Sequence, residues 1–154
     1  MAFRGTYQHT LDAKHRLTVP ARFRDDFAGG VVVVMGIDPC VELWQPDEYE
    51  QHVEESTRNL GTTSPQMRQM LRLMQGSAFD TALDKVGRVG MTERLRGHGG
   101  LEKDVMLIGV GRCLELWDKA RWEQHDANLA AEVSLFTAAA PHAAPPAPPM
   151  APGA

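Results

Sequence analysis

The chain has 154 residues, 43% of them hydrophobic, and a formal net charge of −4. That length admits one compact domain or two small ones, and the excess of acid argues against nucleic-acid binding driven by bulk charge alone. No stretch approaches the roughly 20 apolar residues that span a bilayer, the opening Met-Ala-Phe-Arg-Gly-Thr lacks the apolar core of a signal peptide, and two cysteines are too few for a disulfide framework, so a cytoplasmic protein is expected.

Taken in order, Phe3–Thr10 mixes aromatic and polar residues and reads as a strand running into a charged turn at Asp12. Residues 17–19, with Leu17 and Val19 alternating, read as its return partner in a local hairpin. Pro20 opens a short helix over residues 21–27, with Phe23 and Phe27 on one face and Arg22 and Arg24 beside them, and Gly29-Gly30 ends it. Val31–Met35 is a continuous apolar strand, residues 36–39 are turn chemistry, and residues 40–44 form the return strand of a second hairpin. Pro46 and Asp47 then begin an acidic helix to about residue 59, with Tyr49, Val53 and Leu60 inward. Ser64-Pro65 supplies an N-cap and a first-turn proline, after which Met67, Met70, Leu71 and Met74 fall at helical spacing as a packing stripe.

The second half repeats the order. A strand over residues 78–83 leads to a turn at Asp84, a short helix over residues 92–96, an apolar strand over 105–110, a turn at Gly111-Arg112, a return strand over 113–117 and a helix capped by Asp118 that runs to about residue 133. From residue 137 the composition shifts to Ala and Pro, with six prolines between residues 138 and 154, which reads as a disordered, polyproline-like tail.

The halves are copies of one unit. Asp12, Arg16 and Arg22 recur as Asp84, Arg88 and Arg94 at an offset of 72; further on, residues 36–52 match residues 109–125 at an offset of 73, with Gly36, Cys40, Glu42, Leu43, Trp44, Glu50, Gln51 and His52 all repeated. Cys40 and Cys113 occupy equivalent strand positions, which suits small buried hydrophobes better than a disulfide or a metal site.

With Phe3-Arg4-Gly5, the run over residues 11–20, the paired Asp-x-x-x-Arg signatures and the two Glu-Leu-Trp strands at 42–44 and 115–117, the chain resembles the MraZ family of bacterial transcriptional regulators over roughly residues 3–133. The resemblance implies an α+β, mostly β fold of two tandem, pseudo-symmetric AbrB-like swapped-hairpin modules with flanking helices. Residues 1–60 would be the first module, 61–77 a helical connector, 78–136 the second module and 137–154 the tail. It also implies a sequence-specific regulator that binds double-stranded DNA as a ring-shaped homo-oligomer, on tandem promoter repeats upstream of the division and cell-wall gene cluster. Two departures stand out. His15 replaces the usual glycine, which the second copy keeps as Gly87, and Gly90 and Thr92 stand where the first copy has Thr18 and Pro20.

The charge distribution accommodates such a partner. Residues 1–24 hold Arg4, Lys14, Arg16, Arg22 and Arg24 against Asp12 alone, whereas residues 38–57 hold seven acids and neither Lys nor Arg. The expected DNA-binding residues are Arg4, Asp12, Lys14, His15, Arg16, Arg22, Lys85 and Arg88, with each aspartate orienting the arginine four residues on and the first turn dominant. The alternative is a structural or protein-interaction ring in which the arginines merely close the turns. No catalytic set assembles: no Cys-x-x-Cys, His-Glu-x-x-His or phosphate-loop pattern is present, so neither enzyme activity, a cofactor, a metal nor a small-molecule substrate is expected.

Overall fold

The computed structural model describes residues 2–139. Its elements are β1 (Phe3–Thr10), β2 (Leu17–Thr18), α1 (Ala21–Arg24) with a 3-10 turn over Asp25–Phe27, β3 (Val31–Met35), β4 (Val41–Trp44), α2 (Pro46–Thr57), α3 (Pro65–Met74), β5 (Phe79–Thr81), β6 (Arg88–Val89), α4 (Glu93–Gly99), β7 (Asp104–Gly111), β8 (Leu114–Asp118) and α5 (Lys119–Ala139). The class is α+β and mostly β, as expected. Met1–Trp122 form one compact unit, and the described remainder is the continuation of α5.

The strands interleave the two copies. A six-stranded antiparallel sheet runs in the order β1-β7-β8-β4-β3-β5, and β2 pairs with β6 in a separate two-stranded ribbon. The outer strand of each half-sheet thus comes from the other repeat: β1 lies on β7 from Phe3↔Gly111 to Thr10↔Asp104, and β5 lies on β3. The local hairpin expected between Phe3–Thr10 and residues 17–19 is therefore incorrect. The eight-residue β1 finds eight backbone partners on β7, where the two-residue β2 could offer two, and buried strand edges must find partners for their N–H and C=O groups.

Both faces of the central strands are covered, which explains the continuous apolar run in β3. Val31 and Val33 join Val41, Leu43, Val105, Leu107, Leu114 and Leu116 in the main core, closed over by Leu17, Val89, Phe23 and Phe27. Val32, Val34 and Trp44 point the other way, against Tyr49 and Val53 of α2 and Met74 of α3. The α3 stripe is graded. Met74 is buried, Met70 is half-buried against this second cluster, and Leu71 is exposed. Cys40 and Cys113 are buried free thiols whose pKa burial pushes up, consistent with packing residues. The last helix passes the expected end and reaches Ala139, since alanine is the best helix former and the first proline comes only at Pro141. Residues 140–154, most of the expected tail, lie outside the described residues.

The repeated Glu-x-Trp has a geometric meaning. Glu42 on β4 faces Glu115 on β8 across the local two-fold relation, and each carboxylate accepts from the indole N–H two residues on, Trp44 Nε1 at 3.3 Å and Trp117 Nε1 at 3.1 Å. Burial, against a lowering by the Trp44 hydrogen bond and with added repulsion from Glu115 and Asp38, raises the Glu42 pKa to about 7. The folded state then binds a proton that the unfolded chain releases near pH 4.5, so this group destabilises progressively as pH rises from 4.5 through 7. Glu42→Gln should flatten that loss, raising stability by about 1–3 kcal/mol at pH 8 and by little at pH 5. Thermal melts of both proteins at the two pH values check it. His9 and His52, held low by burial, contribute the opposite slope below pH 6.5 in both proteins and cancel in the comparison.

Candidate nucleic-acid interface

Each Asp-x-x-x-Arg segment folds into the same clamp. Asp12 Oδ1 accepts from the backbone N–H groups of Lys14 and Arg16, both at 2.9 Å, while Oδ2 accepts from Arg16 Nε at 2.8 Å. Asp84 repeats this with Val86 N at 3.0 Å, Arg88 N at 2.9 Å and Arg88 Nε at 2.7 Å. Aspartate suits the place because its short side chain can cap its own turn and still reach the guanidinium. The backbone N–H of Arg16, and of Arg88 in the second copy, is the main reason both carboxyl groups titrate low, Asp84 at about 2, so both are ionised at neutral pH. Since the aspartate occupies only Nε, the two terminal nitrogens of each guanidinium retain four N–H donors for another acceptor.

The turn requires a positive φ at its fourth residue, which accounts for the usual glycine. Gly87 has φ 82° and His15 has φ 57°. A Cβ on Gly87 would also run into the Arg24 side chain, 2.7 Å from its Cδ, and Arg24 Nε is fixed there by Val19 O at 2.9 Å. Arg24 and Gly87 recur, one repeat apart, as Arg96 and His15, and in that pair both Arg96 Nε and His15 Nδ1 are buried without a hydrogen-bond partner. Gly87→Ala should therefore destabilise by about 1–3 kcal/mol through backbone strain and the displaced arginine. His15→Gly should not destabilise, because the released strain offsets the added chain entropy. Urea unfolding of the two variants decides this: a neutral Gly87→Ala would refute the packing argument.

The β2–β6 ribbon joins the two clamps. Thr18 pairs with Arg88 and Leu17 with Val89, Val19 N donates to Gly87 O at 2.9 Å, and the stem of Arg16 passes over Gly90, which has room for it. Arg16 lies two residues from the partner of Arg88, which places the two arginines about 7 Å apart along the ribbon. Asp12, Lys14, His15 and Arg16 thus meet Lys85 and Arg88 on one small structure, with Lys14 and Lys85 exposed. Arg4 and Arg22 belong to a different group. Arg4 is exposed near the other end of β1, and Arg22 donates to Tyr7 Oη and stacks over the Tyr7 and Phe23 rings at 5.5 Å, while Tyr7 Oη donates to Arg4 O at 3.1 Å. Arg24 was not among the residues expected from sequence; the retained glycine at position 87 was its signal. Two acids of α2 are engaged elsewhere, Glu48 and Glu55 holding Arg112 at 3.0 and 2.8 Å.

Comparison with known proteins shows the same duplication. The sequence model described as MraZ protein matches residues 2–73 and again 74–143. Among curated relatives, Transcriptional regulator MraZ of Lachnoclostridium phytofermentans is 38% identical over 132 residues, covering 86% of this chain and 92% of the relative. The protein of the same name from Micrococcus luteus is also 38% identical over 132 residues with the same coverage, and that of Acetivibrio thermocellus is 36% identical over 132 residues, 84% of this chain and 92% of the relative.

Proposed function

The chain belongs to the MraZ family, and on that premise we propose that it is a sequence-specific transcriptional regulator that binds double-stranded DNA through its paired Asp-x-x-x-Arg clamps. The observation that carries this reading is the β2–β6 ribbon, which brings together the backbones of two arginines, each held by its own aspartate. A spacing of about 7 Å corresponds to two base-pair steps at 3.4 Å, so both arginines can engage one groove or one run of phosphates. Arg16 and Arg88 can fork onto guanine edges or phosphates, with Asp12 holding the first, while Lys14 and Lys85 add backbone contacts and His15 a ring donor. Arg4 and Arg22 form an outlying basic group that reaches flanking phosphates.

One such ribbon binds weakly. The regulator therefore works as a ring-shaped homo-oligomer on tandem promoter repeats upstream of the division and cell-wall gene cluster, cytoplasmic and nucleoid-associated, with repeats spaced near one DNA turn, about 10–10.5 base pairs, so that successive subunits meet the same face. No helix among the described residues is long and apolar enough to cross a membrane. The test is a mobility-shift titration of the protein on its own upstream DNA at about 50 and 200 mM salt, with a scrambled duplex of equal length. The expected result is a preference for the upstream repeats and a fall of about a thousandfold or more at the higher salt. Equal binding to the scrambled duplex, or binding indifferent to salt, would overturn the reading.

A further inference from the structure

Away from the clamps, a cavity of about 380 Å³ lies between α2, α3 and the adjoining sheet face. Ligand pockets begin at about 300 Å³ and are mostly apolar with a few converging polar groups. The walls here are apolar and adaptable: Met35, Trp44, Tyr49, Met70 and Met74. The converging groups are acids. Glu42 and its strand partner Glu115 both line the cavity, and Asp38 joins them from the β3–β4 turn.

Among the described residues, no cation is bonded to Glu42. Arg112 also lines the cavity, but its Nε is bound to Glu48 and its Nη1 to Glu55, and its guanidinium lies 5.7 Å from the centre of the Trp44 ring. His52 is stacked on Trp44 at 4.4 Å, and burial lowers its pKa, so it is neutral at pH 7. Glu42 is met by the neutral indole N–H of Trp44. A half-buried carboxylate whose hydrogen-bond donor is neutral favours whatever brings a positive charge to it.

We propose that this cavity binds a small organic monocation, an amine whose apolar body fills the space between α2, α3 and the sheet and whose ammonium group pairs with Glu42. The raised pKa of Glu42 agrees, since burial without a counter-charge is its main cause. A neutral ligand of the same shape gains the apolar contacts alone, and an anion meets Glu42, Glu115 and Asp38. Binding also displaces a proton from Glu42, so affinity rises with pH. The titratable groups that interact with Glu42 are Glu115 from β8, Asp38 and Cys40 from the β3–β4 turn, Tyr49 from α2 and Cys113 from the β7–β8 turn, and His52 and Arg112 line the same cavity. Burial holds Tyr49 and Cys113 in their neutral acid forms and disfavours the charged form of His52, so none of the three is a counter-charge that replaces the ligand at pH 8.

The full chain, without DNA, is titrated calorimetrically with 2-phenylethylamine and with its neutral isostere 2-phenylethanol, so that the outcome is separate from DNA binding. The amine is expected to bind at least tenfold more tightly than the alcohol at pH 8, and up to about tenfold more tightly at pH 8 than at pH 6. Glu42→Gln keeps an acceptor for Trp44 Nε1 and removes the charge, so it should fold, hold the alcohol unchanged and lose the preference for the amine. Absence of amine binding at millimolar concentration, equal affinity for the two probes, or an undiminished preference in Glu42→Gln would each overturn the proposal.

Discussion

Arg16→Ala is expected to weaken binding to the upstream repeats by about 1–3 kcal/mol for each engaged subunit, a loss that compounds across an assembly touching several repeats at once. The substitution removes the terminal nitrogens offered to DNA but leaves Asp12 bonded to the backbone N–H groups of Lys14 and Arg16, so the turn and the assembly should survive. Arg88→Ala should also lose affinity, but less. Each turn carries one lysine, Lys14 and Lys85, but the first also carries the His15 ring where the second has Gly87. Titrations of both variants, with light scattering to follow particle mass, give the comparison. Normal binding by Arg16→Ala would remove the clamp from the DNA interface, and equal losses would refute the leading role of the first turn.

A second large effect is expected far from the clamps. Gly109→Ala should cost about 3 kcal/mol or more, a substantial fraction of a typical domain's stability. Gly109 pairs with Gly5 across β1 and β7, and a Cβ there would fall 2.5 Å from the carbonyl carbon of Phe3 and 2.6 Å from Arg4 Cα, backbone atoms that cannot swing aside. Relief requires peeling β1 from β7, which exposes Phe3, now buried against Phe27 and Phe23 at ring distances of 5.4 and 5.5 Å. Denaturant unfolding measures the cost. Were β1 paired within its own repeat, the substitution would be harmless, so an unchanged midpoint would refute the exchange of strands between the copies.

The locations of the elements were legible in the sequence because local rules set them. The preceding turns marked β4 and β8, Ser64-Pro65 marked the start of α3, with Ser64 Oγ accepting from Met67 N at 3.0 Å, and Gly87 marked the positive φ of the clamp. The carboxylate–guanidinium pairs were equally local, four residues apart in both copies. Strand partners were not. A duplicated chain offers every strand two chemically similar mates, its own copy's and the other's, and composition cannot rank them. The choice rests on strand length and on which pairing closes the edge, and it went to β7 for β1 and to β6 for β2. From pairing between the copies follow the features that no single repeat contains: two arginine clamps on one ribbon, Arg24 laid across Gly87 of the other copy, and Glu42 facing Glu115 beside an apolar cavity. Each depends on contacts between residues about 60 to 75 positions apart, where short-range periodicity carries no information and only the packed core selects the neighbour.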